Sequence, residues 1–339
     1  MKALCIDIGS KTQDVVLYLD FEKIENCPKF VLPSPAMLIS QKIAKLTQEG
    51  KNIYLYGYNM GGGFKKEIKN HIDKGLKVAA HPEAAVAIKD DLNKVKEFGV
   101  DISLTPPKGY VPVFLSDFDP LFWESFLKNI GFDSFDLVLV AAQDHGYHHY
   151  LSNRIGRFKI WEQLLSKDLR VEDLLFEIPP SNLTRLRTIH SITAGPVADT
   201  SSAAALGVLF DKEVEDRNQK EGICVVNAGN SHVTAFLIYQ NKIFGLYEHH
   251  TSILTPDLLQ GDLEKFCKKK LTFEEVFSKK GHGCFIKDSN IDFSNAKIFA
   301  IGPKRDLLKG WANFVYPGGD VMVAGCYGLI KAAKYKGIL

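Results

Sequence analysis

The sequence has no surplus of charge. Its 339 residues carry 42 Lys and Arg against 40 Asp and Glu, a formal net charge of +2. A general nucleic-acid surface needs a basic excess, so nucleic acid is excluded as the expected partner. Long apolar runs are also missing. No stretch approaches 18 residues, so no membrane span is expected. The opening MKALCIDIGSKTQD meets Asp7 after a short apolar run, too soon for a secretory leader. Cysteine is sparse and scattered. Cys5, Cys27, Cys224, Cys267, Cys284 and Cys326 form no CxxC pair, and their spacing fits neither a zinc ribbon nor an iron–sulfur clip. Cys5, Cys224 and Cys326 sit in apolar runs and read as small core hydrophobes, which points to a reduced, cytoplasmic protein. There is no low-complexity tract and no repeat at a solenoid period.

What is present is ordinary globular composition, 45% hydrophobic and 24% charged. The length suggests roughly two domains. Ala3 to Ile8 and Val15 to Leu19 read as two strands around a tight polar turn. Met37 to Leu46 has a helical period. Asn52 to Tyr58 reads as a strand that runs into Gly61-Gly62-Gly63 and a Lys-rich helix from Phe64 to Lys77. Pro82 opens a helix expected to reach about Phe98. Asp136 to Ala142 is a continuous apolar run, the mark of a strand buried on both faces. Ser201 to Phe210 is a helix of small residues, and Val321 to Lys334 is another. Gly222 to Val226, Val233 to Tyr239 and Ile298 to Ile301 read as strands, and Lys212 to Glu221 as a linker. Strands interleaved with helices predict an α/β fold.

Two segments echo each other. LCIDIGSKTQDVVLYL starts at Leu4, and CVVNAGNSHVTAFLIY starts at Cys224. Each is an apolar strand, a polar residue, a glycine turn and a second strand. Asp7 matches Asn227, Gly9 matches Gly229, and Thr12 matches His232. Such a hairpin aims backbone N–H groups and hydroxyls into one concavity, a fitting cradle for phosphate.

The order of these pieces resembles the actin-like ATPase superfamily of actin, sugar kinases and heat-shock chaperone ATPases. The resembling parts are the D-x-G-x-x-T loop of Asp7, Gly9 and Thr12; the strand Leu137 to Ala142; the small-residue helix Ser201 to Gly207; the second loop within Gly222 to Ile238; and the IFAIGP segment ending at Gly302-Pro303. More narrowly, the chain resembles a family with an actin-like ATPase domain whose members have carried the label pyruvate formate-lyase activating enzyme. That label names radical chemistry on a CxxxCxxC site, and no such spacing exists here, so the activity is rejected.

The resemblance implies two ribonuclease H-like lobes around a central nucleotide cleft. The lobes would be residues 1–210, with an inserted segment near 54–101, and residues 211–339. It implies ATP and Mg²⁺ as ligands. Gly9, Ser10, Thr12, Gln13, Asn227, Gly229, Asn230, Ser231, Gly302 and Pro303 are then the expected nucleotide contacts. Asp7 would orient the metal's waters, because Mg²⁺ keeps several waters when it binds. Asp144 and His145 follow a buried strand, where open α/β sheets place ligands, and are the acid–base candidates, with Asp199 next. The expected activity is that of an ATPase, activase or phosphotransferase.

Some residues depart from the superfamily pattern. Asn227 replaces the usual Asp and brings no charge to a metal. Gly195 occupies the position of a chaperone-type Glu. Both motivate an alternative, a nucleotide-binding regulator without turnover. A second alternative is a metal-dependent hydrolase built on His145, His148 and His149. Gly61 to Lys66 suits an anionic group of a small-molecule or protein partner.

Overall fold

The computed structural model describes residues 1–148 and 152–339. The chain opens with β1 (Lys2–Ile8), β2 (Thr12–Leu19) and β3 (Lys29–Pro33), an antiparallel meander. Helix α1 (Pro35–Gln48) begins at once, capped by the Ser34 hydroxyl with Pro35 in its first turn. A parallel sheet with its own core follows. Its strands are β4 (Ile53–Gly57), β5 (Val78–Ala80), β6 (Val100–Ile102) and β7 (Val111–Leu115), in the order β6-β5-β4-β7. Helices α2 (Lys65–Asp73), α3 (Pro82–Ala85) and α4 (Leu92–Glu97) lie between them.

Helix α5 (Pro120–Asn129) leads back to the first sheet. That sheet gains β8 (Leu137–Ala142), α6 (Asn153–Leu165), β9 (Leu175–Phe176), α7 (Thr184–Thr193) and β10 (Val197–Ala198), giving the order β3-β2-β1-β8-β10-β9. Helices α8 (Thr200–Val208) and α9 (Lys212–Asn218) precede a second meander of β11 (Ile223–Ala228), β12 (His232–Tyr239) and β13 (Lys242–His250). Helices α10 (Pro256–Cys267) and α11 (Phe273–Ser278) come next, then β14 (Gly283–Ile286), β15 (Lys297–Ile301), β16 (Asn313–Phe314) and the closing helix α12 (Ala324–Tyr335). This sheet has the order β14-β13-β12-β11-β15-β16.

The two six-stranded sheets share one plan. In each, a three-stranded antiparallel meander is extended by two strands parallel to its first member, and a sixth, antiparallel strand sits at one edge, β9 beside β10 in the first sheet and β14 beside β13 in the second. This doubled arrangement is the ribonuclease H-like, actin-like ATPase fold. The apolar runs of β1, β8 and β11 form the inner strands, as continuous hydrophobic sequence requires.

Helices α8 and α12 cross between the sheets, and small residues let them approach. A Cβ on Gly328 would lie 1.8 Å from the Ala203 carbonyl oxygen, and one on Gly207 would lie 2.1 Å from that of Ala324. One core joins Cys5 and Leu139 of the first sheet to Val225 and Phe236 of the second through these helices. All six cysteines are buried and unpaired. Among the described residues, no helix is long and apolar enough to cross a membrane.

Several sequence expectations need correction. The helix expected from Pro82 to Phe98 is two short ones, because Asp91 caps a new start at Leu92. The polar stretch from Lys212 is α9, capped by Asp211, with Val214 and Asn218 buried. The Lys-rich helix stops at Asp73, where Gly75 takes a positive φ of 78°. The parallel sheet extends beyond the expected insert, to Leu115.

Candidate functional site

The two glycine hairpins are built alike. Asp7 pairs with Asp14 across β1 and β2, and Asn227 pairs with Thr234 across β11 and β12. The first turn is closed by the Gly9 N–H donating to the Thr12 carbonyl at 2.8 Å. The second is closed by Gly229 donating to His232 at 2.9 Å. The third strand of each meander ends in a brace. The Ser34 N–H donates to the Lys11 carbonyl and its hydroxyl to the Ser10 carbonyl. The Thr251 N–H donates to the Ser231 carbonyl and its hydroxyl to the Gly229 carbonyl at 2.8 Å.

The hairpins meet. The Ser231 hydroxyl donates to the Ser10 hydroxyl at 2.8 Å, across 221 residues of sequence. Behind them opens a cleft of about 1190 Å³. Its walls include Asp7, Gly9, Ser10, Thr12 and Asp14 from the first hairpin, and Asn227, Gly229, Asn230, Ser231 and His232 from the second. Gly302 and Pro303 close one side, and Asp144 and His145 another. Gly302 has φ of 96°, and a Cβ there would lie 2.5 Å from the Ala228 carbonyl oxygen, so glycine is required. Gly61, Gly62, Gly63 and Lys65 also line the cleft.

Gln13 does not line it. Thr12 and Asp14 face the cleft, and strand alternation turns Gln13 to the opposite face, where its amide donates to the Pro33 carbonyl at 3.0 Å. His148 lies on the cleft wall. His149 lies outside the described residues. Gly195 packs directly on β8, where a Cβ would sit 1.8 Å from the Val138 carbonyl oxygen, so this backbone has no room for a carboxylate.

The electrostatics are unusual on the Asp7 side. Asp7 is buried, and burial followed by repulsion from Asp14 holds its carboxyl well above the usual range. Asp14 is pushed up to about 7, chiefly by burial. Asp7 Oδ1, Asp14 Oδ1 and Thr234 Oγ1 are buried without a hydrogen-bond partner, while the Thr200 hydroxyl acts on the Asp7 carboxyl. Buried polar atoms are normally satisfied, so these oxygens along the cleft suit a hydrated cation such as Mg²⁺. Helix α12 packs tightly against it, since a Cβ on Gly325 would lie 2.0 Å from Asp7 Oδ2.

Asp144 is differently placed. Its two oxygens accept from the Gly146 N–H at 2.7 Å and the Leu186 N–H at 3.0 Å. Burial nevertheless raises its pKa. Asp199 caps α8 and joins a buried ion network. Arg157, 2% exposed, donates to both Glu248 oxygens at 3.0 and 2.9 Å and to both Asp199 oxygens at 2.9 and 3.1 Å. It also donates to the Asp144 carbonyl at 2.6 Å, so one guanidinium ties α6, the loop after β8, the start of α8 and strand β13. Arg185 forms a bidentate pair with Asp117 and donates to the Gln143 carbonyl.

Sequence reasoning missed Ser34, Thr251, Arg157, Glu248 and Arg185. Ser34-Pro35 carries a helix-start signal that marks its position. The others are isolated residues whose partners lie at least 13 positions away in the chain.

The doubled sheet plan and the paired hairpins define a protein of the actin-like ATPase fold. Residues 60–307 match the family described as "Putative pyruvate format-lyase activating enzyme (DUF1786)". The chain belongs to that family. Among curated proteins, none matches the sequence. Similar solved structures include the ethanolamine utilization protein EutJ from Carboxydothermus hydrogenoformans, at 8% identity over 97% of this chain and 89% of that one, with a TM-score of 0.34. The activator of the 2-hydroxyisocaproyl-CoA dehydratase from Clostridium difficile, with bound ADPNP, is 10% identical over 100% and 98%, with a TM-score of 0.33. The inorganic polyphosphate/ATP-glucomannokinase from Arthrobacter sp. strain KM is 12% identical over 99% and 98%, with a TM-score of 0.36.

Proposed function

We propose that this protein binds ATP with Mg²⁺ in the central cleft and acts as an ATPase or phosphotransferase of the cytoplasm. The observation that carries this reading is the meeting of the two hairpins, Ser10 to Ser231, beside unpartnered carboxylate oxygens. Phosphates would lie between Gly9, Ser10 and Thr12 on one side and Gly229, Asn230 and Ser231 on the other. Asn227 would meet a metal-bound water with its amide. Gly302 and Pro303 would border the nucleoside. Asp7, with Asp14 beside it, would hold the hydrated Mg²⁺, which neutralises phosphate charge when bound.

Residues 1–210 and 211–339 act as the two halves that close on this ligand and exclude water. Gln13 serves the site indirectly, by holding β2 to β3. Asp144 fixes the loop that presents His145. Burial, with Arg157 next, lowers the His145 pKa to about 3, so its neutral ring is a hydrogen-bond partner for an attacking water or hydroxyl. Gly61, Gly62 and Lys65 offer the recipient's side, a small molecule or protein bearing a negative group. The radical activity in the family's description is not part of this reading, since the sequence has no CxxxCxxC.

The test is thermal shift with nucleotides and Mg²⁺, followed by phosphate release. Ligand at 100 times its dissociation constant stabilises by about 2.7 kcal/mol. Asp7→Ala should abolish both the shift and the release. No shift with any nucleotide would overturn the binding reading. A shift with equal phosphate release from wild type and Asp7→Ala would overturn the enzymatic one and leave a nucleotide-gated regulator.

A further inference from the structure

Four histidines gather at the end of the second meander, two of them, His145 and His232, on the cleft wall. His232 opens β12 and faces His250 directly across the ladder with β13. Alternation along β13 puts Glu248 on the same face as His250. His282, just before β14, donates its N–H to the Glu248 carbonyl. The loop after β8 brings His145 over this face. The imidazole nitrogens of His145, His232 and His282 include a set that lies within 4.8 Å of one another. His250 packs behind, its ring centroid 4.6 Å from that of His282 and 5.0 Å from that of His232.

His282 is 1% exposed, yet its Nδ1 has no hydrogen-bond partner, and the buried Nε2 of His232 has none either, so two of the three converging rings have an open nitrogen. Buried imidazole nitrogens are normally satisfied. A neutral imidazole nitrogen that is left open can donate its lone pair to a metal.

We propose that His145, His232 and His282 form a binding site for a divalent transition-metal ion of the Zn²⁺ type, separate from the Asp7 corner. Three imidazoles suit zinc and its neighbours and not Mg²⁺, which takes oxygen ligands. Metal–nitrogen distances of about 2.0–2.1 Å place tetrahedral ligand nitrogens roughly 3.4 Å apart, so the rings need to draw in by about 1.5 Å at most. His145 and His232 line the cleft and His282 lies behind them, so the fourth position opens toward the cleft. Three protein ligands with one open position is the pattern of a metal that takes a water or a substrate oxygen, not of a closed structural site.

The experiment uses the full chain, stripped with a chelator and titrated with Co²⁺ as a spectroscopic substitute for Zn²⁺. One equivalent should bind and give the visible ligand-field bands of a four- or five-coordinate nitrogen site, and Zn²⁺ should displace it. His282→Gln and His145→Ala should each weaken binding at least 10-fold, as loss of even an outer-shell partner does. Asp7→Asn should retain the bands. Absence of stoichiometric binding to wild type, or unchanged binding and spectra in both histidine variants, would overturn the site. Circular dichroism confirms that each variant is folded. The Mg²⁺–nucleotide thermal shift of His282→Gln is read separately, so the two readings can fail independently.

Discussion

Single residues carry the site, and a few of them have no freedom to change. Gly325 shows this most clearly. Replacing glycine by alanine inside a helix ordinarily stabilises it by about 1 kcal/mol. Here the added Cβ would meet Asp7 Oδ2 at 2.0 Å, against a side chain that is itself buried. Gly325→Ala should therefore lower the melting temperature and weaken Mg²⁺–nucleotide binding at least 10-fold, as measured by calorimetry. A stabilised variant with unchanged affinity would contradict that placement. The same scale explains what the sequence could and could not tell. The matching hairpin positions of Asp7 with Asn227 and of Gly9 with Gly229 were legible because their spacing repeats along the chain and strand pairing preserves it. Gln13 was misplaced because a hairpin motif does not say which face each residue takes. Arg157 and Glu248 were invisible because their meaning lies in a contact 91 residues apart.

At the scale of elements, the small-residue stretches were legible as helices, and their reason appears only in the fold. The closeness of α8 and α12 demands glycine at Gly207 and Gly328, where an added Cβ would meet the Ala324 and Ala203 carbonyls. The short strands β9, β10 and β16 were not legible, since two residues show no periodicity. Element packing also yields a pH prediction. The fully buried His71 of α2 meets Thr47 of α1, with Nδ1 2.7 Å from Thr47 Oγ1. Thr47 donates its own proton to the Ile43 carbonyl, so Nδ1–H of neutral His71 must be the donor. Burial lowers the His71 pKa below its ordinary 6.5. The unfolded chain therefore takes up a proton below pH 6.5 that the folded one resists. The stability tied to this residue is fully present above pH 6.5 and falls as pH drops, by at most about 1.4 kcal/mol per pH unit. The stability difference between wild type and His71→Asn in urea should shrink from pH 7.5 to pH 5. A difference independent of pH would contradict the assignment.

For the whole molecule, the two sheets repeat one plan, and the chain order of strand, glycine turn and strand announces it twice. Among the described residues, the parallel sheet from β4 to β7 has no counterpart in the second half. It brings Gly61, Gly62 and Lys65 to the same cleft, so a third unit meets the ligand space. If the cleft works as proposed, both hairpins touch one anion. A crystal structure grown with Mg²⁺ and a non-hydrolysable ATP analogue tests this directly. The account predicts phosphate oxygens within hydrogen-bond distance of N–H groups from both Gly9–Thr12 and Gly229–His232, with Mg²⁺ near Asp7. A nucleotide bound elsewhere, or phosphates held by one hairpin alone, would contradict it.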